Sequence, residues 1–252
     1  MGQGETVRIA AVADLHVGIK TAGTWQPIFE RMSAEADVAL LCGDLTDYGL
    51  PEEADVLASE IEHRLTIPAV AVLGNHDYES GREKDVARVL GDAGVAVLDG
   101  EAFEVHGIGF AGTKGFAGGF GTHALGPWGE PIIKQFVHEA IQEALKLETA
   151  LARIRASTRI VLLHYTPVRS TAEGEPPEIV PYLGSSRLEE PISRYAVTAV
   201  FHGHAHHGQL EGETSRGVRV YNVSSSLLRS RSPDRPFRIL EVDRQKGETP
   251  QA

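Results

Sequence analysis

Short apolar runs, each closed by glycine or a polar residue, alternate with longer stretches of helical periodicity along most of the chain. Val7 to Ala13, Val38 to Cys42, Ala69 to Leu73, Ile160 to Leu163 and Val197 to Phe201 are the apolar runs. Runs this short and this apolar predict strands covered on both faces. Between them, Glu52 to Leu65, Glu83 to Ala93 and Pro131 to about Ala156 predict helices. The last is the longest, with Ile133, Val137, Ile141, Ala144, Leu147 and Leu151 at helical spacing and a proline at its first turn. Val105 to Ala111 and Arg216 to Asp243 predict strands joined directly by turns. With no repeat and no Pro/Ser-rich linker, the pattern predicts one domain over residues 1–252, with 1–6 and 244–252 as frayed tails.

Composition narrows the class. The chain has 252 residues, 42% of them hydrophobic, which is enough for a sizeable core. No apolar stretch approaches the ~20 residues of a membrane-spanning helix. A net charge of −11 disfavours a polynucleotide held by a basic face. Cys42, the one cysteine, excludes an internal disulfide and any Cys-rich zinc module. The first residues lack the basic and apolar regions of a secretory leader, and the expected location is cytoplasmic, away from membranes. Met1 to Thr6 does fit the permissive myristoylation pattern, with no second lipid site or polybasic patch to support an anchor. The oligomeric state is not legible. Histidine stands out, with eleven copies.

Every one of the five apolar runs ends in metal-ligand side chains. Asp14 and His16 close the first, Asp44 the second, Asn75 the third, His164 the fourth, and His204 and His206 the fifth. Functional groups gather beyond the carboxyl ends of strands in α/β sheets. Asp14 and His16, like His204 and His206, are two apart and would face the same way if extended. Asp44 and Asn75 each follow a glycine, which frees the backbone to turn sharply. Two aspartates, one asparagine and four histidines form an N/O donor list that suits Mn, Fe, Zn, Co or Ni. Seven donors suit two divalent ions if Asp44 bridges them, ~3.5–4 Å apart. With a bridging hydroxide such a centre is net positive and attracts a phosphate oxyanion.

In order, DLH, GDLTD, GNHD, a lone strand-terminal histidine and GHAH resemble the motifs of the calcineurin-like metallophosphoesterases. Those motifs read D-x-H, G-D-x-x-D, G-N-H-[DE], H and G-H-x-H. The resemblance covers about Val7 to His207 and implies an α/β (α+β) fold: a four-layer αββα sandwich of two mixed sheets packed face to face. It further implies that Asp14, His16, Asp44 and His206 hold one metal, and Asp44, Asn75, His164 and His204 the other. His76 would then be the general acid, with Asp47 orienting its ring. The implied reaction is in-line attack of a metal-bridging hydroxide on phosphorus.

Two departures refine the resemblance. The protein phosphatases carry arginines where this chain has Tyr48 and Leu73, which removes two bidentate grips on a phosphomonoester dianion. The purple acid phosphatases have a metal-binding tyrosine where this chain has Asp47. GDLTDYG and LGNHD look most like the small class III cyclic nucleotide phosphodiesterases, so the expected substrate is a small nucleotide-like phosphodiester. A phosphomonoesterase or pyrophosphatase of the same fold is the nearest alternative. A non-catalytic scaffold is disfavoured because His76 and all seven ligands are present, and a repair nuclease because of the acidic charge.

Gly107 to Gly112 spells G-x-G-x-x-G, but the following TKGFAGGFG is unfit for the helix that a dinucleotide site needs. The expectation there is a mobile loop, with Lys114, Phe116, Phe120 and Trp128 as a candidate lid, and Lys114 and His123 as candidate substrate contacts. His202 and His207 flank the ligands and are within reach of a supporting role.

Overall fold

The computed structural model describes residues 6–244. Eleven strands run β1 (Thr6–Val12), β2 (Val38–Cys42), β3 (Ala69–Val72), β4 (Val95–Val97), β5 (Ala102–Val105), β6 (Ile108–Gly112), β7 (Thr158–Leu162), β8 (Ala199–His202), β9 (Glu211–Glu213), β10 (Arg219–Asn222) and β11 (Arg238–Asp243). Six helices separate them: α1 (Gln26–Glu35), α2 (Pro51–Arg64), α3 (Glu83–Asp92), α4 (Pro131–Arg153), α5 (Glu189–Arg194) and α6 (Ser225–Arg231). The first sheet has the order β11-β1-β2-β3-β4 and the second β5-β6-β7-β8-β10-β9. Both are mixed, with parallel centres and an antiparallel strand at an edge.

Alternation along the strands builds the layers. Ile9, Ala11, Leu40, Val70 and Val72 of the first sheet meet Phe110, Ile160, Leu162, Phe201 and Tyr221 of the second in one buried core. The opposite face of the first sheet, through Ala10, Val12, Leu41 and Ala71, packs on Phe29 and Met32 of α1, Leu57 of α2 and Leu90 of α3. Ala111, Val161, Leu163 and Val200 of the second sheet pack on Leu147 and Leu151 of α4 and Ile192 of α5. The result is the four-layer αββα sandwich. No helix among the described residues is long and apolar enough to cross a membrane.

Three local expectations change. Thr6 is not frayed: it pairs with Asp243 at the start of β1, while the rest of the expected tails, apart from Arg244, lies outside the described residues, as does nearly all of the myristoylation pattern. The segment from Arg216 to Asp243 contains α6 as well as two strands, because Leu227 and Leu228 bury against the fold where a turn was expected. The stretch 111–119 is buried but for the half-buried Phe116, and so is no mobile lid. Its glycines serve packing: a Cβ on Gly112 would lie 2.6 Å from Val72 Cγ1. Trp128, further on, is exposed.

Candidate metal centre

The parallel strands β1, β2, β3, β7 and β8 all deliver their carboxyl ends to one edge of the sandwich. The chain turns there in an unusual way. Asp14, His16, Asp44 and His204 have φ of 57°, 46°, 48° and 68°, left-handed values that L side chains seldom adopt. Asp14 and His16 therefore do not converge by strand alternation, as the two-residue spacing suggested. They converge because β1 has ended at Val12 and the loop continues beside the one after β2, with Asp14 N donating to Gly43 O and His16 N to Asp44 O. Each left-handed residue costs on the order of 1 kcal/mol, and such strain persists where surrounding contacts hold it.

Three donor groups result: His16, Asp47 and His76 form one, beside the two that carry the expected ligands. Of these two, Asp14, His16 and His206 form the first, and Asp44, His164 and His204 the second, each with one ligand atom per residue within 4.8 Å of the rest. Asp44 faces both: its Oδ1 lies 3.3 Å from His164 Nε2, and its Oδ2 lies 3.9 Å from His16 Nε2. Asn75 Oδ1 is 3.0 Å from His164 Nε2, which joins it to the second group. On the other side His206 Nε2 is 3.3 Å from Asp14 Oδ1.

Main-chain groups fix these side chains. His164 Nδ1 is 3.1 Å from the Cys42 carbonyl and donates to it, which turns Nε2 toward Asp44. Asp14 accepts the His204 amide at 3.1 Å, and Asp44 the His76 amide at 2.9 Å. Gly74 must be glycine, since a Cβ there would sit 2.2 Å from Asp44 N. Gly43, at φ 85°, would press a Cβ into the His164 ring at 2.5 Å.

Electrostatics separate the histidines. Burial pushes the His164 ring down, but Asp44 beside it raises it to about 9. Burial, with His164 nearby, lowers His204 to about 3. Burial opposes ionisation of Asp44, yet His164 and the His76 amide hold its carboxyl well below the usual carboxylate range. His206 is raised by its bond to Asp14, and His16 is lowered by burial.

These residues fit divalent transition metals. The donors are carboxylate oxygen, amide oxygen and imidazole nitrogen. Among the described residues, the ion-pair partners of the buried carboxylates Asp14 and Asp44 are histidines, with no lysine or arginine in place to neutralise them. His16 Nδ1 is buried without a hydrogen-bond partner.

His76 stands beside the first group, its ring 4.6 Å from that of His16 and edge-on. Its Nδ1 donates to the main-chain carbonyl of Asp47 at 2.7 Å, so the peptide of Asp47 orients the ring. The Asp47 carboxylate lies instead 3.7 Å from His16 Nδ1. The two candidate substrate contacts are placed differently from expectation. Lys114 is buried with its ammonium turned among aromatic rings, and His123 is exposed in a single 3₁₀ turn.

Supporting residues were less visible in the sequence. Buried Asp77 accepts the amides of Leu45, Thr46 and Gly74 and the Thr46 hydroxyl, all at 2.6–3.1 Å, and so ties the loop after β2 to the loop after β3. Burial and Asp44 raise its carboxyl to about 6. Asn222 donates to the carbonyl of Ala205, between His204 and His206, at 2.7 Å. His202 Nε2 accepts from Thr171 Oγ1 at 2.9 Å, while His207 is exposed. The D of GNHD was the one available signal for Asp77; nothing local marks Asn222.

A centre of carboxylates and imidazoles thus lies at the mouth of the αββα sandwich. The calcineurin-like phosphoesterase family model matches residues 7–208, and the chain belongs to that family. Membership carries metal-dependent phosphoester hydrolysis. No curated protein matches the chain. Among solved structures, phosphopantetheinyl hydrolase from Mycobacterium tuberculosis is similar over 95% of this chain and 97% of its own, at 16% identity and a TM-score of 0.65. TT1561 of Thermus thermophilus aligns over 96% and 100%, at 14% identity and a TM-score of 0.54. A putative 5'-nucleotidase from Staphylococcus aureus aligns over 86% of this chain and 48% of its own, at 16% identity and a TM-score of 0.51. These likenesses are of fold.

Proposed function

We propose that the centre holds two divalent transition-metal ions and hydrolyses phosphodiester bonds of a small, nucleotide-like substrate in the cytoplasm. The observation that carries the two-metal reading is Asp44, whose two carboxylate oxygens face two different imidazole groups. Asp14, His16, Asp44 and His206 hold one ion; Asp44, Asn75, His164 and His204 hold the other. Manganese is the ion to test first. When bound, such a pair supplies Lewis acidity and a water of lowered pKa as nucleophile.

The chain's own residues do the rest. Asp77 and the main-chain bonds to Asp14 and Asp44 hold the donors in place before substrate arrives, so little reorganisation accompanies the reaction. His76 gives a proton to the leaving oxygen. Its Nδ1 is engaged by the Asp47 carbonyl, which leaves Nε2 to carry the transferred proton.

Diester preference follows from what surrounds the site. Leu73 is buried in the apolar core and Tyr48 is exposed, so neither position offers an arginine-like grip on a second phosphate charge. Lys114 is sequestered. A monoanionic diester needs no such cation. The test compares kcat/KM for bis-nitrophenyl and mono-nitrophenyl phosphate in one metal and one buffer. It extends to cyclic nucleotides, a nucleoside monophosphate and a phosphopantetheinyl ester, the last two because similar folds carry those names. A diester advantage supports the reading; a monoester advantage of ~10-fold, about 1.4 kcal/mol of transition-state binding, overturns it.

A further inference from the structure

Lys114 lies just past the end of β6, and its main chain and side chain serve different neighbours. Its carbonyl accepts the amides of His164 and Tyr165 at 3.0 and 3.1 Å. Its ammonium is buried, donates to the Gly115 carbonyl at 2.9 Å, and lies 5.0, 5.2 and 5.3 Å from the ring centroids of Phe116, Tyr78 and Tyr165. A cation among aromatic rings is held by their quadrupoles, more firmly when desolvated. Glu143 of α4 fixes the residues on either side, accepting the Thr113 hydroxyl and the Gly115 amide. The ammonium is thus pinned within the ring cluster by its own backbone.

The rings reach the metal centre. The Tyr165 centroid is 4.5 Å from that of His204 and 5.6 Å from that of His164. Tyr78 follows Asp77 directly, the carboxylate that ties two ligand loops together. One lysine therefore touches, directly or through one ring, the loops after β3, β7 and β8. A buried ammonium is expensive to desolvate, and no carboxylate is hydrogen-bonded to it among the described residues. An apolar side chain would fill the same space at lower cost; it would lack the hold on Tyr165 and the positive charge near buried Glu143.

We propose that Lys114 is a positioning residue: its caged ammonium fixes the Tyr165 ring, and that ring fixes the imidazole of His204 as a ligand of the Asp44/His164/His204 metal. This rests on the ligand assignment proposed above. Partners that orient metal ligands typically matter ~10–100-fold in metal affinity when removed.

The experiment is manganese(II) titration of the metal-stripped full chain, followed by calorimetry and by the electron paramagnetic signature of a coupled manganese pair. Lys114→Met is expected to keep one tight manganese, weaken the other at least ~10-fold and abolish the coupled signal, with the melting profile still cooperative. Lys114→Arg, which keeps the cation, is expected to restore the second ion. Tyr165→Leu should reproduce the Lys114→Met loss, and it serves if Lys114→Met does not fold. Tyr165→Phe keeps the ring and should leave both ions bound. Wild-type stoichiometry in both Lys114→Met and Tyr165→Leu, or equal weakening of both ions, overturns the proposal; so does a change in KM alone, which would make Lys114 a substrate contact. His204→Ala separates the two levels. If it leaves two ions bound, the ligand assignment fails and the positioning role with it. If it removes one ion while Lys114→Met and Tyr165→Leu remove none, only the positioning role fails.

Discussion

Asp44 stands between two donor groups that differ in their contact with water. In the Asp44/His164/His204 group, the side chains of His164 and Asp44 are 0% and 2% exposed, His204 is half-buried, and Tyr165 stands beside both rings, so this is the more sealed of the two. In the Asp14/His16/His206 group, Asp14 is buried but the His16 and His206 side chains are 26% and 38% exposed. The sealed group sits where the two sheets meet, with His164 and His204 from the second sheet against Asp44 from the first. The open group adds the loop after β1 and the last histidine of GHAH, beside His76. Burial strengthens electrostatic interactions, so the sealed group suits a resident ion, while the open group suits exchange of water and substrate.

The largest effect expected is at the shared residue. Asp44→Ala should remove both metals and nearly all turnover, as measured by metal analysis beside bis-nitrophenyl phosphate hydrolysis, because its two oxygens face one imidazole of each group. His76→Ala should keep both metals yet lose ~10²–10⁴-fold in kcat on a substrate with an alkoxide leaving group, and less with nitrophenolate, which needs no proton. Metal loss in that variant would place His76 among the ligands instead.

The next effect lies behind the sealed group. Burial lowers His202 to about 4 from an ordinary 6.5, so the fold requires it neutral. The unfolded chain takes up this proton first as pH falls. Stability is therefore whole above pH 6.5 and drains away toward pH 4, by a cost on the order of 3 kcal/mol at full charging. Urea midpoints at pH 7 and pH 4.5 should diverge more for the wild type than for His202→Gln; equal divergence would remove His202 from the acid limb. The smallest effect is kinetic. With a limiting chelator, half of the bound metal should leave ~10-fold faster than the rest, the fast half being at the open group, as judged by its sensitivity to His206→Ala. A single phase of metal loss would erase the distinction between the groups.

The sequence carried the parts of this site that depend on strand ends. Apolar runs closed by DLH, GD, GNH, H and GHAH locate the residues that the fold brings to one edge, because parallel strands ending together need little more than their order. The backbone at those ends was not legible. Extended geometry was the natural reading for Asp14 and His16, whereas a left-handed turn held by bonds to Gly43 and Asp44 brings them in. α1 is not among the helices expected from the sequence, although its Phe29 and Met32 bury fully. The glycine-rich stretch read as mobile for want of helix formers; its glycines are instead places where Ile154, Val72 and Leu188 approach the backbone. Lys114, expected in a loop over substrate, is buried among aromatic rings for the same reason. Long-range packing decided each of these, and one-dimensional patterns do not record it.

The central claim is that Asp44 is shared by two metal ions. Anomalous scattering from crystals of the full chain grown with saturating manganese tests it most directly. The account predicts two peaks about 3.5–4 Å apart, one beside His164 and His204, the other beside His16 and His206, with a different oxygen of Asp44 on each. A single fully occupied peak, or a pair with Asp44 touching neither or only one, would contradict it.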